Sequence, residues 1–310
     1  MSVHTLPFGY YPRPLDISVG SITITSLPDI AETVIAIEND NQVDGDWIYA
    51  PQQEVRSFGG NTASRPYPSR IFTLPKTHLI THDSLDGDNH IVFHLWALSF
   101  FTGMRLTSTE AGFVDSTPIK PGKLVDFGLL GKGIEDAIAL AEAFWVKHRS
   151  NPERFLLFAG AVHALFLAQN PQNLQFESFL LFYTAFDACF ALTKSLKDQR
   201  ENISHTERVS WMCQQFGMQT PDWAIPVSNL GKKKTTEVAS LRNASVHEAL
   251  FMGEPLGFAL HGVGAGTNMT LEMKALVCRL LVALLGGDQS KYVVSPVNTR
   301  QRHGLRFTVE

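Results

Sequence analysis

Hydrophobic and polar residues alternate in steps of two through the first third of the chain. Ile and Val recur at every second position in ISVGSITITSL (17–27) and TVIAIEN (33–39), between Gly, Pro and Asp. DWIYAP (46–51) and SRIFTLPKTHLITH (69–82) continue the alternation, with polar, glycine-containing loops between them. A period of two belongs to strands with one buried face, so a sheet is expected here. Near residue 90 the pattern changes. NHIVFHLWALSFFTGMRL reads as a helix or a long buried strand, and STPIKPGKLVDFG as a Pro/Gly connector. From GIEDAIALAEAFWVKHRS (133–150) onward the period is 3.6. Further helices are expected at about 152–169, 174–197, 205–216, 234–250 and 270–286, with Gly, Pro or Asn breaks between them. Thr270 is the expected N-cap of the last one, Glu272 lies in its first turn, and Gly286 and Gly287 stop it. YVVSPV and LRFTVE could return as strands. The expected fold class is α+β: a β-rich N-terminal domain over 1–130, then an antiparallel helical bundle within 131–310.

Composition narrows the class. With 310 residues, 44% hydrophobic and 18% charged, the chain is long and apolar enough for a sizeable core. A net charge of −4 argues against an extended nucleic-acid coat, though not against a local basic site. Cys189, Cys213 and Cys278 stand alone in helical stretches, the pattern of reduced thiols in a cytoplasmic protein. The start, MSVHTLPFGYYPRPLD, has no basic region followed by an apolar run, so no secretory signal is expected. FLLFAGAVHALFLA (155–168), FLLFYTAFDACFAL (179–192) and ALVCRLLVALL (275–285) each fall short of the ~18 uninterrupted apolar residues of a membrane span. Each also carries His, Asp or Arg, so all three are expected to be core helices rather than membrane helices.

Several motif-like stretches do not carry chemistry. DNQVDGD (40–46) mimics a calcium loop, but Gln42 and Pro51 stand where ligands belong. HDSLDGDNH (82–90) gathers His82, Asp83, Asp86, Asp88 and His90, and reads as an acidic hairpin loop rather than a metal site. GVGAG (262–266) follows no strand, and LGKKKTT (230–236) lacks the upstream glycine of a phosphate loop and the Lys-Ser/Thr pair directly after its second glycine. His163 is expected to be a core histidine. No metal and no cofactor is expected.

The segment LRNASVHEALFMG (241–253) is different. It sets Arg242, Asn243 and His247 into a helix whose other positions suit an interior. Asn243 and His247 are four apart and share a face, while Arg242 lies about 100° away with a long reach. Arg, four residues, His resembles the Rx4–6H motif of the HEPN superfamily, the higher-eukaryote and prokaryote nucleotide-binding helical bundles. The same spacing occurs from Arg200 to His205 in RENISH, a polar inter-helix stretch where it reads as accidental. The first match lies on a late helix followed by one final apolar helix, an order HEPN proteins resemble. ESFLLFYTAFDACFALTKSLKD (177–198) also looks like the long bundle helix of the Apea-like branch, with Asp187 as its acidic residue. The resemblance covers roughly residues 133–286.

This resemblance implies a metal-independent endoribonuclease of HEPN type, a toxin or phage-defence effector. His247 would act as acid or base on the ribose 2′-hydroxyl or leaving 5′-oxygen, and Arg242 would stabilise the phosphorane. Asn243 would orient the histidine or a phosphate oxygen, and Asp187 would hold Arg242 from behind. Lys232, Lys233 and Lys234 could guide an RNA backbone, although a solvated lysine run is the simpler reading. The expected assembly is a homodimer that lines one groove with two motifs. The expected partners are RNA and a trigger or antitoxin acting through the N-terminal domain. The alternative is a non-catalytic HEPN module that binds RNA, a nucleotide or a protein.

Overall fold

The computed structural model describes residues 3–65, 71–83, 87–108, 112–227, 234–247, 269–299 and 302–307. The chain divides into two compact units. The first comprises residues 1–124 with 137–142, the second residues 125–136 with 143–310. The described residues have the α+β class, with strands first and helices after.

In chain order the first unit holds β1 (His4–Phe8), β2 (Ile17–Val19), β3 (Ile22–Ser26), α1 (Ile30–Glu38), β4 (Val43–Asp44) and β5 (Trp47–Tyr49). There follow β6 (Gln53–Arg56), β7 (Thr62–Arg65), β8 (Ile71–Phe72), β9 (His78–His82), α2 (Asp88–Thr102), β10 (Phe113–Val114) and β11 (Ser116–Pro118). The main sheet is antiparallel in the order β1-β9-β3-β2. On β9 the pleat turns His78, Ile80 and His82 to the buried face, so two histidines take core positions in the alternation. α2 is buried almost all round and ends at Gly103, whose φ of 62° forms a left-handed cap. This resolves NHIVFHLWALSFFTGMRL as a helix.

One expected strand is a helix. TVIAIEN (33–39) lies in α1, because Ile30, Val34 and Ile37 form a stripe at i, i+4 and i+7 that satisfies a helix as well as the alternation suits a strand. Only Ile37 of the three is fully buried, and Ile35 is left in solvent.

His78 makes the first unit acid-sensitive. Burial holds its imidazole down from 6.5 to about 4, against the opposing pull of the Arg13 carbonyl and Asp16. A ring kept neutral in the fold, but free to protonate when unfolded, contributes its full stability above about pH 6.5. That contribution is lost as pH falls toward 4. Thermal melts by circular dichroism are expected to shift downward across this window, and His78→Gln to flatten the shift. A melting temperature independent of pH between 6.5 and 4 would contradict this.

The second unit holds β12 (Phe127–Leu129), α3 (Gly133–His148, its middle part assigned to the first unit), α4 (Glu153–Leu167), α5 (Gln175–Leu196), α6 (His205–Gln215), α7 (Glu237–His247), α8 (Met269–Val282) and β13 (His303–Leu305). α5 packs on α4, α6, α7 and α8. Phe158, Leu165, Phe186, Cys189, Leu192, Leu276 and Leu280 fill the space between α4, α5 and α8. α5 is long and apolar enough to cross a bilayer, but about half of its apolar window is buried inside the fold. Thr270 lies inside α8 instead of capping it, since Met269 before it is already helical. Beyond α8 the backbone widens into a π turn over Ala283–Gly287, and Gly286, at φ 102°, ends it. β13 pairs parallel with β12, while YVVSPV forms turns. His163 sits on the exposed side of α4 and not in the core, because the buried stripe runs through Phe155, Phe158, Val162 and Leu165.

Candidate functional site

The polar cluster of the bundle forms where α5, α6 and α7 meet. α7 starts at Thr236, whose Oγ accepts the Ala239 N–H at 3.2 Å, the bond of an N-cap. Val238 and Ser245 face inward on α7, which leaves Arg242 half-buried and Asn243 exposed. The Arg242 guanidinium donates to Asn243 Oδ1 at 3.1 Å. His247 is the last described residue of α7. Its side chain, together with Lys232, Lys233 and the GVGAG loop, lies outside the described residues; Lys234 is exposed.

Asp187, expected to hold Arg242, is ion-paired with Arg208 at 2.8 Å. Arg208 is the better placed of the two: it lies on α6 over the Phe190 ring (4.6 Å) and also donates to the Ile203 carbonyl at 3.4 Å. One turn before Asp187, the Tyr183 hydroxyl is hydrogen-bonded to His205 Nδ1 at 2.7 Å. Burial pushes the Tyr183 hydroxyl well above its usual range and Asp187 adds to this, while the guanidiniums of Arg208 and Arg242 oppose it. Arg242 therefore acts on the same patch as Tyr183, Asp187 and Arg208. His205, dismissed with the RENISH match, is part of this patch, whereas Arg200 stands in solvent beside Asp198. The signal that could have found His205 and Arg208 is HTER at a helix start: both lie in the first turn of α6, facing a long helix that carries a tyrosine and an aspartate at i, i+4.

Other features of the second unit fit a phosphate ligand less well. An open pocket of about 300 Å³ is lined in part by Asp222, Glu237 and Glu272, and its negative charge opposes an anion. The three cysteines are buried, and burial raises their thiols far above the range of a nucleophile.

The first unit holds a second cluster. His82 at the end of β9, His90 and His94 one turn apart on α2, and Glu142 on α3 converge. His90 Nε2 lies 2.7 Å from Glu142 Oε2, and His94 Nε2 3.2 Å from the same oxygen. Ser21 Oγ donates to Glu142 Oε1 at 3.3 Å and lies 3.3 Å from His82 Nε2. Burial acts to raise the Glu142 carboxyl, but the two imidazoles outweigh it and hold the group well below the usual carboxylate range. Two histidines of the stretch read as an acidic loop, His82 and His90, are thus buried beside a carboxylate that lies 52 residues beyond His90.

Comparison with family models, curated proteins and solved structures gives no match.

Proposed function

We propose that this chain is a metal-independent endoribonuclease of the HEPN type, with Arg242, Asn243 and His247 as its catalytic residues. The observation that carries the reading is the Arg242–Asn243 pair on the solvent side of α7, while Asp187 is neutralised by Arg208. A guanidinium committed to Asp187 would be a structural ion pair. A guanidinium beside an exposed amide on the helix surface has the planar fork that matches phosphate oxygens. His247, one turn beyond Asn243, takes the 2′-hydroxyl proton; the 2′-oxygen attacks phosphorus, and Arg242 balances the charge that develops there. The imidazolium gives the proton on to the leaving 5′-oxygen as the P–O5′ bond breaks, giving a 2′,3′-cyclic phosphate and a 5′-hydroxyl. The net charge of −4 favours a narrow substrate such as an exposed RNA loop over an extended coat. A role as toxin or phage-defence effector follows, with a trigger or antitoxin acting through the N-terminal unit.

The test is direct. The full chain, incubated with total RNA in EDTA, is expected to give defined fragments ending in 2′,3′-cyclic phosphate. If every RNA stays intact, the enzyme reading fails and a non-catalytic module that binds RNA, nucleotide or protein replaces it. The reading also requires a homodimer whose two-fold axis passes near α7, since one copy supplies a single motif. Light scattering at micromolar concentration is expected to give twice the chain mass; a monomer would count against the shared groove.

A further inference from the structure

We propose that His82, His90 and Glu142, with His94 at the fourth vertex, bind one divalent transition-metal ion, of which zinc suits the donors best. The potential ligand atoms of His82, His90 and Glu142 all lie within 4.8 Å of one another. The three imidazoles are 1–2% exposed, and Glu142 keeps one side toward solvent. Three imidazoles and one carboxylate form a nitrogen-rich, borderline-soft set that selects zinc and its neighbours over calcium or magnesium.

Tautomer chemistry strengthens the case. His94 Nδ1 lies 3.0 Å from the His90 carbonyl oxygen, which can only accept, so Nδ1 carries the hydrogen. His94 Nε2 is thereby turned toward Glu142, 3.2 Å from a carboxylate oxygen but without the alignment of a hydrogen bond, so nitrogen and oxygen converge on a point that a cation can occupy. A backbone carbonyl that fixes the distal nitrogen is also the usual support of a metal-bound histidine. Ser21 holds the far oxygen of Glu142 in the same way.

The donor spacing suits a small ion. Tetrahedral zinc with bonds of about 2.0–2.1 Å sets its ligands roughly 3.4 Å apart. His94 and Glu142 are near that separation already, and His90 and Glu142 need to open by less than about 1 Å. The ligands come from a central strand and two helices, so the ion would tie β9, α2 and the 137–142 stretch of α3 together within the first unit. This inference does not depend on the ribonuclease reading.

The experiment uses the full chain made in zinc-supplied medium, with metal measured by plasma mass spectrometry. About one zinc per chain is expected after gel filtration. Removing it with a chelator should lower the melting temperature, and adding zinc sulfate should restore it. Cobalt(II) added to the apo protein should give the intense visible bands of four-coordinate nitrogen and oxygen ligation. Glu142→Gln, which conserves shape, should abolish retention and weaken zinc binding by at least about 100-fold, as should His90→Ala where it folds. Wild-type protein that retains no zinc, shows no zinc-dependent melting shift and gives no cobalt spectrum would overturn the proposal. So would a Glu142→Gln variant that binds zinc as tightly as wild type.

Discussion

His247→Ala is expected to lower RNA cleavage by about 10²–10⁴-fold while RNA binding survives, because the change removes the acid or base and leaves the phosphate contacts. Arg242→Ala should lose activity comparably. Arg242→Lys should not restore it, since an ammonium lacks the planar fork that matches a phosphorane. Asn243→Ala should cost less, as it removes an orienting amide and not a charge. Arg208→Lys adds a discriminating arm. It keeps the charge beside Asp187 and is expected to leave cleavage within a few-fold of wild type, because the reading gives Arg208 a structural place. Cleavage rates and RNA affinity are measured on each variant alongside its melting temperature. If His247→Ala and Arg242→Ala chiefly unfold the bundle, the cluster is structural. If they fold normally and alter neither cleavage nor toxicity on expression, the ribonuclease reading is wrong.

Arg279→Met is expected to destabilise the second unit by about 3–5 kcal/mol. Arg279 is buried at 1% exposure on α8. Its guanidinium donates to Asp126 at 2.8 Å, to the carbonyls of Ala275, Ser295 and Pro296, and to Ser295 Oγ. Every N–H is therefore used, and the charge also stacks over Tyr292 at 4.6 Å. Methionine fills much of the volume but leaves the Asp126 carboxylate with Tyr292 as its remaining strong partner and takes the guanidinium away from the Ser295 carbonyl and hydroxyl. For a unit of this size the melting temperature should fall by about 6–20 °C. Asp126→Leu added to Arg279→Met should recover part of the loss, because it removes the stranded charge. Chemical denaturation would decide; a loss below about 1 kcal/mol would show that water reaches the site and that the pair counts as a surface one.

The helices of the bundle were legible because each carries its own 3.6 period and its own Gly, Pro or Asn break. α3, α4, α5 and α6 fall close to their expected ranges. α1 was not legible, since Ile35 and Ile37 alternate as in a strand while Ile30, Val34 and Ile37 keep a helical spacing, and only the packing chooses. The partner of Asp187 was not legible either: Arg208 and Arg242 are both within reach of α5 in principle, and the choice depends on how α6 and α7 lie against it. The histidine cluster failed for a different reason. His82 is a core-facing position on a strand, His90 and His94 share a helix face, and Glu142 is far along the chain. No local spacing joins the four, and among the described residues the more conspicuous acids between His82 and His90, Asp83 and Asp88, are not part of the set.

The middle turns of α3, residues 137–142, pack with the first unit, while both ends of the helix belong to the second. No single cut therefore yields two self-sufficient pieces. A fragment ending at residue 130 forfeits Glu142 and strands three buried imidazoles without their carboxylate, and the remainder keeps a helix whose middle turns have lost their neighbours. The N-terminal part is not a cassette that evolution or an experimenter can detach at a linker.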